Sequence, residues 1–331
     1  MSALAQIFSV TLPFFALVFC GYAAARSRLL PLEAVAGLNM FVLYFALPCM
    51  LYRFGSSTPI AQLFDPVICI LWLAAAGLVV ALTSWLARRR GAQWPDAAMG
   101  ALVAAFPNSG FMGVPLILAL LGESAVGPVM STLLIDLAVT TSVCIGLSQW
   151  GVAGEAGALK AAGRALKGVL RNPMPWAILL GALGGAMNLQ LWQPVMQTVT
   201  LLGNAASPVA LFTIGAVLAR SQMLAKHHHK EKSSARDVGW IAGCKLVLHP
   251  LLVWTFASLA VRAGAFGPEV LAALVLTAAL PSASNVSLLA ERFGADNGRI
   301  ARIILWSTCA AFVSFSIVAG GYVTQPLGPS P

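Results

Sequence analysis

Charge is what this chain has least of. Only 9% of its 331 residues are Asp, Glu, Lys or Arg, and just 11 are acidic. A water-soluble domain of that composition would have to expose large apolar surface. Cysteine is scarce and carries no pairing pattern. Cys20, Cys49, Cys69, Cys144, Cys244 and Cys309 all fall inside apolar runs without the spacing of a metal or redox centre, so they read as packed apolar side chains. There is no nucleotide-binding motif, and no two His with a carboxylate at helical spacing. An enzyme is therefore not expected, and neither is a bound metal. His227-His228-His229 lacks partner ligands nearby and reads as a solvated loop. The first apolar run has neither a basic leader nor a small-residue cleavage site, which predicts a retained helix.

What the chain has in excess is apolar length. It is 59% hydrophobic with a mean hydropathy of +0.85. Ten runs reach spanning length, near Leu4–Ala24, Val35–Phe54, Phe64–Ala87, Ala97–Leu121, Val126–Gln149, Pro175–Leu189, Met196–Ala219, Trp240–Val261, Glu269–Ala290 and Ile300–Tyr322. This predicts an all-α, multi-pass membrane protein of ten transmembrane helices.

The net charge of +9 would suit a nucleic acid or a membrane surface if it were clustered. It is instead sorted by side. Arg26, Arg28, Arg88, Arg89, Arg90, Lys160, Arg164, Lys167, Arg171, Arg220, Lys226, Lys230, Lys232, Arg236, Arg292, Arg299 and Arg302 occupy alternate connections, and Arg53 and Arg262 alone occupy the others. The heavy side is expected to be cytoplasmic, with both termini outside, in a cell (inner) membrane. The basicity is a topology signal, and nucleic acid is not an expected partner; lipid is.

Residues 151–173 interrupt the runs. Leu159, Ala162, Leu166, Val169 and Leu170 share a face against Lys160, Arg164, Lys167 and Arg171, the pattern of an amphipathic helix on the cytoplasmic surface. It would link an N-terminal half, 1–150, to a C-terminal half, 174–323. Five spans is an odd number, so the halves must be oppositely oriented, an inverted repeat.

The halves echo each other where helices should fail. The fourth run breaks at Pro107-Asn108-Ser109-Gly110 and the ninth at Pro281-Ser282-Ala283-Ser284-Asn285; the second carries Asn39 and Pro48, the seventh Asn204 and Pro208. Proline has no amide proton and clashes with the preceding turn. Backbone freed at membrane depth is tolerated only against protein or a water-filled cavity. Matched breaks in inverted halves are a carrier's way of building a site from half-helix ends, whose positive N-termini suit an anion. Pro107, Asn108, Ser109, Gly110, Pro281, Ser282, Ser284, Asn285, Asn39 and Asn204 are the candidate binding residues.

Phe106-Pro107-Asn108-Ser109-Gly110-Phe111-Met112-Gly113-Val114-Pro115 with Gly122-Glu123 resembles the auxin efflux carrier family. So do Leu280-Pro281-Ser282-Ala283-Ser284-Asn285 with Ala290-Glu291-Arg292-Phe293-Gly294-Ala295-Asp296, and Leu38-Asn39 with Ala46-Leu47-Pro48. That family includes plant auxin exporters and bacterial malonate and malate carriers. The resemblance implies crossing fourth and ninth helices, a transport domain from runs three to five and eight to ten, and a scaffold from runs one, two, six and seven that mediates a homodimer. It also implies that Asn108 contacts a substrate carboxylate. Where the plant proteins carry a long cytosolic loop between halves, this chain has only a short one, so regulation through such a loop is not expected.

Few polar residues lie within the runs. Asp136 sits among Leu133, Leu134, Ile135 and Leu137, where a carboxylate must face the interior, neutralise or find a cation. Coupling to a proton or sodium ion fits it, and so does structural hydrogen bonding. Lys245 is little more than a turn inside the eighth run, close enough to snorkel to water, with coupling as its other reading. His249, a turn deeper and before Pro250, suits a proton relay or a cap on freed carbonyls. Gly181, Gly184 and Gly185 predict close helix contact. No cofactor is expected beyond a coupling ion. Three classes follow: a secondary carrier of a small carboxylate such as malonate, malate or an auxin-like acid, working by alternating access of the elevator type; a carboxylate sensor; or a channel.

Overall fold

The computed structural model describes residues 3–150, 163, 167, 170–225 and 235–323. The predicted linker face, apart from Lys167, Leu170 and Arg171, and the His227–His229 loop lie outside the described residues. All regular structure among the described residues is helical. We number the helices α1 (Ala3–Arg26), α2 (Ala34–Ser57), α3 (Pro66–Arg89), α4 (Trp94–Ala105), α5 (Ser109–Leu121), α6 (Glu123–Gln149), α7 (Pro173–Ala186), α8 (Gln193–Ala225), α9 (Ala235–Arg262), α10 (Pro268–Ala279), α11 (Val286–Arg292) and α12 (Asn297–Val323).

Six helical stretches, those of α2, α3, α6, α8, α9 and α12, are long and apolar enough to cross a membrane. Shorter apolar helices stand at the first, fourth, sixth and ninth runs. At the fourth and ninth the cause is the proline break, which cuts each run into two halves. Large apolar side chains such as Phe19, Ile70, Leu201 and Ile317 face outward, as a hydrocarbon solvent requires.

Local chemistry sets several boundaries. Asp65 caps α3, its Oδ1 accepting from Val67 and Ile68 amides at 2.9 and 3.1 Å, and Asn172 caps α7 through Met174 N at 3.1 Å. α4 is buried from Ala97 to Ala105 and α10 from Ala272 to Ala279. A helix buried on every side must be apolar all round, and the alanines of both let neighbours close in.

α1 packs along α8, and α2 packs along both α7 and α8. Glycine permits the tightest of these contacts. A Cβ at Gly181 would collide with the Tyr52 carbonyl and one at Gly185 with the Ser56 carbonyl, while Gly21 and Gly215 place α1 and α8 at the same close range. A Cβ at Gly184 would meet only the Tyr52 hydroxyl, at 3.4 Å. α3 packs on α4, and α9 on α10; α4 contacts α6, and α10 contacts α12. At one end Arg299 gathers three helices. Its Nε donates to Asp237 Oδ2 at 2.7 Å, its Nη1 to the Asp96 carbonyl at 2.9 Å, and Asp96 Oδ1 accepts from Asp296 N at 2.7 Å.

Candidate functional site

The two proline breaks meet. Neither Pro107 nor Pro281 has an amide hydrogen to give, but each break supplies one donor and one acceptor to the other. Asn108 N donates to Pro281 O at 2.8 Å and Ala283 N donates to Phe106 O at 3.0 Å, an antiparallel bridge centred on Pro107 and Ser282. Two stretches that could not stay helical thereby satisfy each other's buried backbone. Ser282 N is taken by Ser307 Oγ of α12 at 3.2 Å.

Four half-helix ends converge here: the C-termini of α4 and α10 and the N-termini of α5 and α11. α5 begins with a π turn, Ser109–Gly113, in which Met112 N and Gly113 N both reach Asn108 O. The first amides of a helix have no acceptor within it, and that of Ser109 turns back to Pro107 O at 2.7 Å.

Two cavities flank this point, with Phe111 in the wall of both. The first, a narrow one, is lined by Pro107, Asn108, Ser109, Gly110 and Asn285, with Leu47, Leu133, Leu137 and Met174 around them. Asn108 Oδ1 and Asn285 Oδ1 are buried and without a hydrogen-bond partner. Buried polar atoms are paired as a rule, and these two amide oxygens stand open beside one cavity. The second cavity is lined by Asn39, Ser284, Thr213 and Ser287 among apolar neighbours.

The sequence-predicted residues thus divide. Asn108, Ser109, Gly110, Pro107 and Asn285 share one cavity, Asn39 and Ser284 the other, and Pro281 and Ser282 form the crossing itself. Asn204 lines neither; it is exposed and accepts from Arg53 Nη1 at 2.7 Å. Sequence reasoning missed Phe111, Thr213 and Ser287, because a lone aromatic or hydroxyl in an apolar run has no distinguishing period.

Asp136, Lys245 and His249 form a third group beside the crossing, and all three are fully buried. Asp136 Oδ1 accepts from Trp72 Nε1 at 3.1 Å and Thr140 Oγ1 at 2.9 Å, while Oδ2 has no partner. The Trp72 ring meets His249 edge-on at 5.2 Å between centroids. Lys245 does not snorkel. Its Nζ donates to the Ala278 carbonyl at 2.6 Å and lies 3.3 Å from His249 Nδ1. The direction is inward because Cys244–Leu248 is a π turn packed on α10, so nearness to the helix end did not decide where the side chain points. Trp72 and Thr140 are the partners that no sequence signal distinguished.

The chain has recognisable relatives. A Rhizobium meliloti (strain 1021) protein named "Putative malonate transporter" is 30% identical over 310 residues, 92% of each chain. An uncharacterized transporter of Methanothermobacter thermautotrophicus is 27% identical over 91% of this chain and 93% of its own. One from Escherichia coli (strain K12) is 26% identical over 96% and 94%. These proteins are named as transporters, not enzymes. The membrane transport protein family matches residues 6–319, and this multi-pass chain belongs to it, the family of the auxin efflux carriers.

Proposed function

We propose that the protein is a secondary carrier that moves a small organic anion across the cell (inner) membrane by alternating access. The observation that carries the reading is the paired break: two interrupted helices, bonded backbone to backbone, with the side-chain amides of Asn108 and Asn285 beside one cavity. Each amide also has an NH₂ to donate, and the α5 N-terminus adds backbone donors and a positive dipole end. Such a set favours a carboxylate. The name of the Rhizobium relative makes malonate the first candidate.

In this reading ten spans form two inverted halves of five, with α4 plus α5 as the fourth and α10 plus α11 as the ninth. The packing supports it, since exchanging the halves maps neighbours onto neighbours: α1 on α8 onto α7 on α2, α3 on α4 onto α9 on α10, and α4 on α6 onto α10 on α12. α1, α2, α7 and α8 make a scaffold fixed by glycine contacts, and the remaining helices a body that slides against it as an elevator. The scaffold would pair two copies into a homodimer, as the family resemblance implies. Both termini lie outside the cytoplasm. Arg299, Asp237, Asp96 and Asp296 gather the ends of the fourth, eighth and tenth spans on one side, which suits the positive-inside assignment. Asp136, with Lys245 and His249, couples transport to a cation.

Counterflow tests the proposal. Purified protein in liposomes preloaded with unlabelled malonate should take up labelled malonate; related monocarboxylates, dicarboxylates and aromatic acids serve as competitors. A sensor binds without exchange, and a channel equilibrates label without trans-stimulation. Either outcome would replace the carrier reading.

A further inference from the structure

Asp136 and Lys245, an acid and a base, are buried in the same region and yet form no ion pair. Each spends its hydrogen bonds elsewhere. One carboxylate oxygen is occupied by Trp72 and Thr140, and the ammonium is occupied by Ala278 O and His249 Nδ1. What is left over is one carboxylate oxygen, Asp136 Oδ2, and one imidazole nitrogen, His249 Nε2, both buried and both without partners. Trp72 lies between their two side chains, bonded to one and stacked edge-on against the other.

We propose that the coupling ion is a proton carried on Asp136, and that Lys245 is a fixed internal cation that makes a sodium ion unnecessary there. This rests on the carrier reading and deepens it. Hard metal cations are held by several oxygens at once. Here a single open carboxylate oxygen is available, and the neighbouring ammonium repels a second cation in a region of low dielectric. A proton needs only that one oxygen. The charged group that acts on Asp136 is Lys245 of α9, and the same ammonium acts on His249, whose ring also meets Trp72 edge-on; the uncharged Cys144 thiol lies on the same helix as Asp136.

Charge accounting gives the proton its purpose. Ionised Asp136 and Lys245 cancel. Protonating Asp136 leaves one uncompensated positive charge, which offsets one negative charge on a bound anion, so the loaded body crosses with less net charge. The cluster is wired to the site. Leu133 and Leu137, on either side of Asp136 in α6, wall the Asn108 cavity, and Lys245 holds Ala278 three residues before Pro281, whose carbonyl takes the Asn108 amide.

Infrared difference spectroscopy on the purified full-length protein reads the carboxyl directly and needs no substrate. Lowering the pH should bring up a protonated-carboxyl band that is lost in Asp136→Asn, and exchanging choline for sodium at fixed pH should leave that band unchanged. The nearly isosteric Thr140→Val, which removes one donor to Asp136 Oδ1, should shift the midpoint of the titration; this variant guards against a misfolded Asn protein. The absence of an Asp136-dependent band at every pH, or a band erased by sodium, overturns the proposal. In liposomes, labelled malonate should accumulate under an imposed proton gradient and not under a sodium gradient. Sodium-driven accumulation also overturns it. Failure of malonate to exchange at all counts against the carrier reading with that substrate, whereas the infrared result still decides the proton question.

Discussion

The Lys245 ammonium donates to the main-chain carbonyl of Ala278 at 2.6 Å. An unbroken helix would satisfy that carbonyl with the amide of Ser282, but α10 ends at Ala279 and Ser282 N turns to Ser307. A side chain from α9 therefore supplies what the proline break removes, and its charge suits a helix C-terminus. Lys245→Met should leave the carbonyl bare at a cost of about 1–3 kcal/mol. A thermal unfolding midpoint equal to the parent's would show that the contact carries no stability.

The Asn108 side chain and main chain have separable tasks. Asn108→Ala removes the amide that faces the cavity and keeps the N–H that reaches Pro281 O. Malonate affinity should fall ten- to a hundred-fold, the equivalent of roughly 1.5–3 kcal/mol for a hydrogen bond to a charged group, at an unchanged unfolding midpoint. Asn285→Ala should act in the same direction but more weakly. Parent-like titration calorimetry for both variants would make the crossing a purely structural feature.

Glycine contacts in the α2 and α7 pair should be intolerant of a single methyl. Gly181→Ala and Gly185→Ala drive a Cβ into main-chain carbonyls that cannot rotate away, and overpacking of this kind costs about 1–3 kcal/mol. Gly37→Ala, with nothing within 4 Å of the added carbon, should instead stabilise by up to about 1 kcal/mol through helix propensity. Unfolding midpoints of the three variants, measured side by side, check the contrast.

Arg299 and Asp237 should behave as a coupled pair. Arg299→Met, Asp237→Asn and the double variant form a cycle whose interaction energy we expect near 1–3 kcal/mol. That is below a fully buried pair because the Asp237 side chain is 24% exposed. Additive effects would mean that Arg299 acts through the Asp96 carbonyl alone.

A C-terminal alkaline phosphatase fusion should be active and a C-terminal green fluorescent protein fusion dark. The reverse pattern would place the C-terminus in the cytoplasm and overturn the outward assignment of the termini.

Much of the architecture was legible because hydrocarbon is an unforgiving solvent. Apolar length and proline breaks are one-dimensional signals, and the structure places helices or half-helices at each run. The glycine cluster at Gly181 and Gly185 was legible for the same reason, since only backbone contact explains so many in one short run. Direction was harder to read. Lys245 sits near a helix end in sequence and points into the interior in space, because the π turn and the proximity of α10 set its orientation. Asn204 matched Asn39 by position, but Arg53 lies within reach and takes its side chain away from the cavities. Trp72 was invisible as a partner of Asp136, for an indole in an apolar run looks like core until the neighbour of its N–H is known.

The crossing is drawn entirely by main-chain atoms: the amides of Asn108 and Ala283 and the carbonyls of Pro281 and Phe106. Side chains at 108, 284 and 285 hang from it without building it. Inheritance and novelty are thereby assigned to different atoms, and a descendant chain can alter what it recognises by exchanging those few side chains while the junction passes on intact.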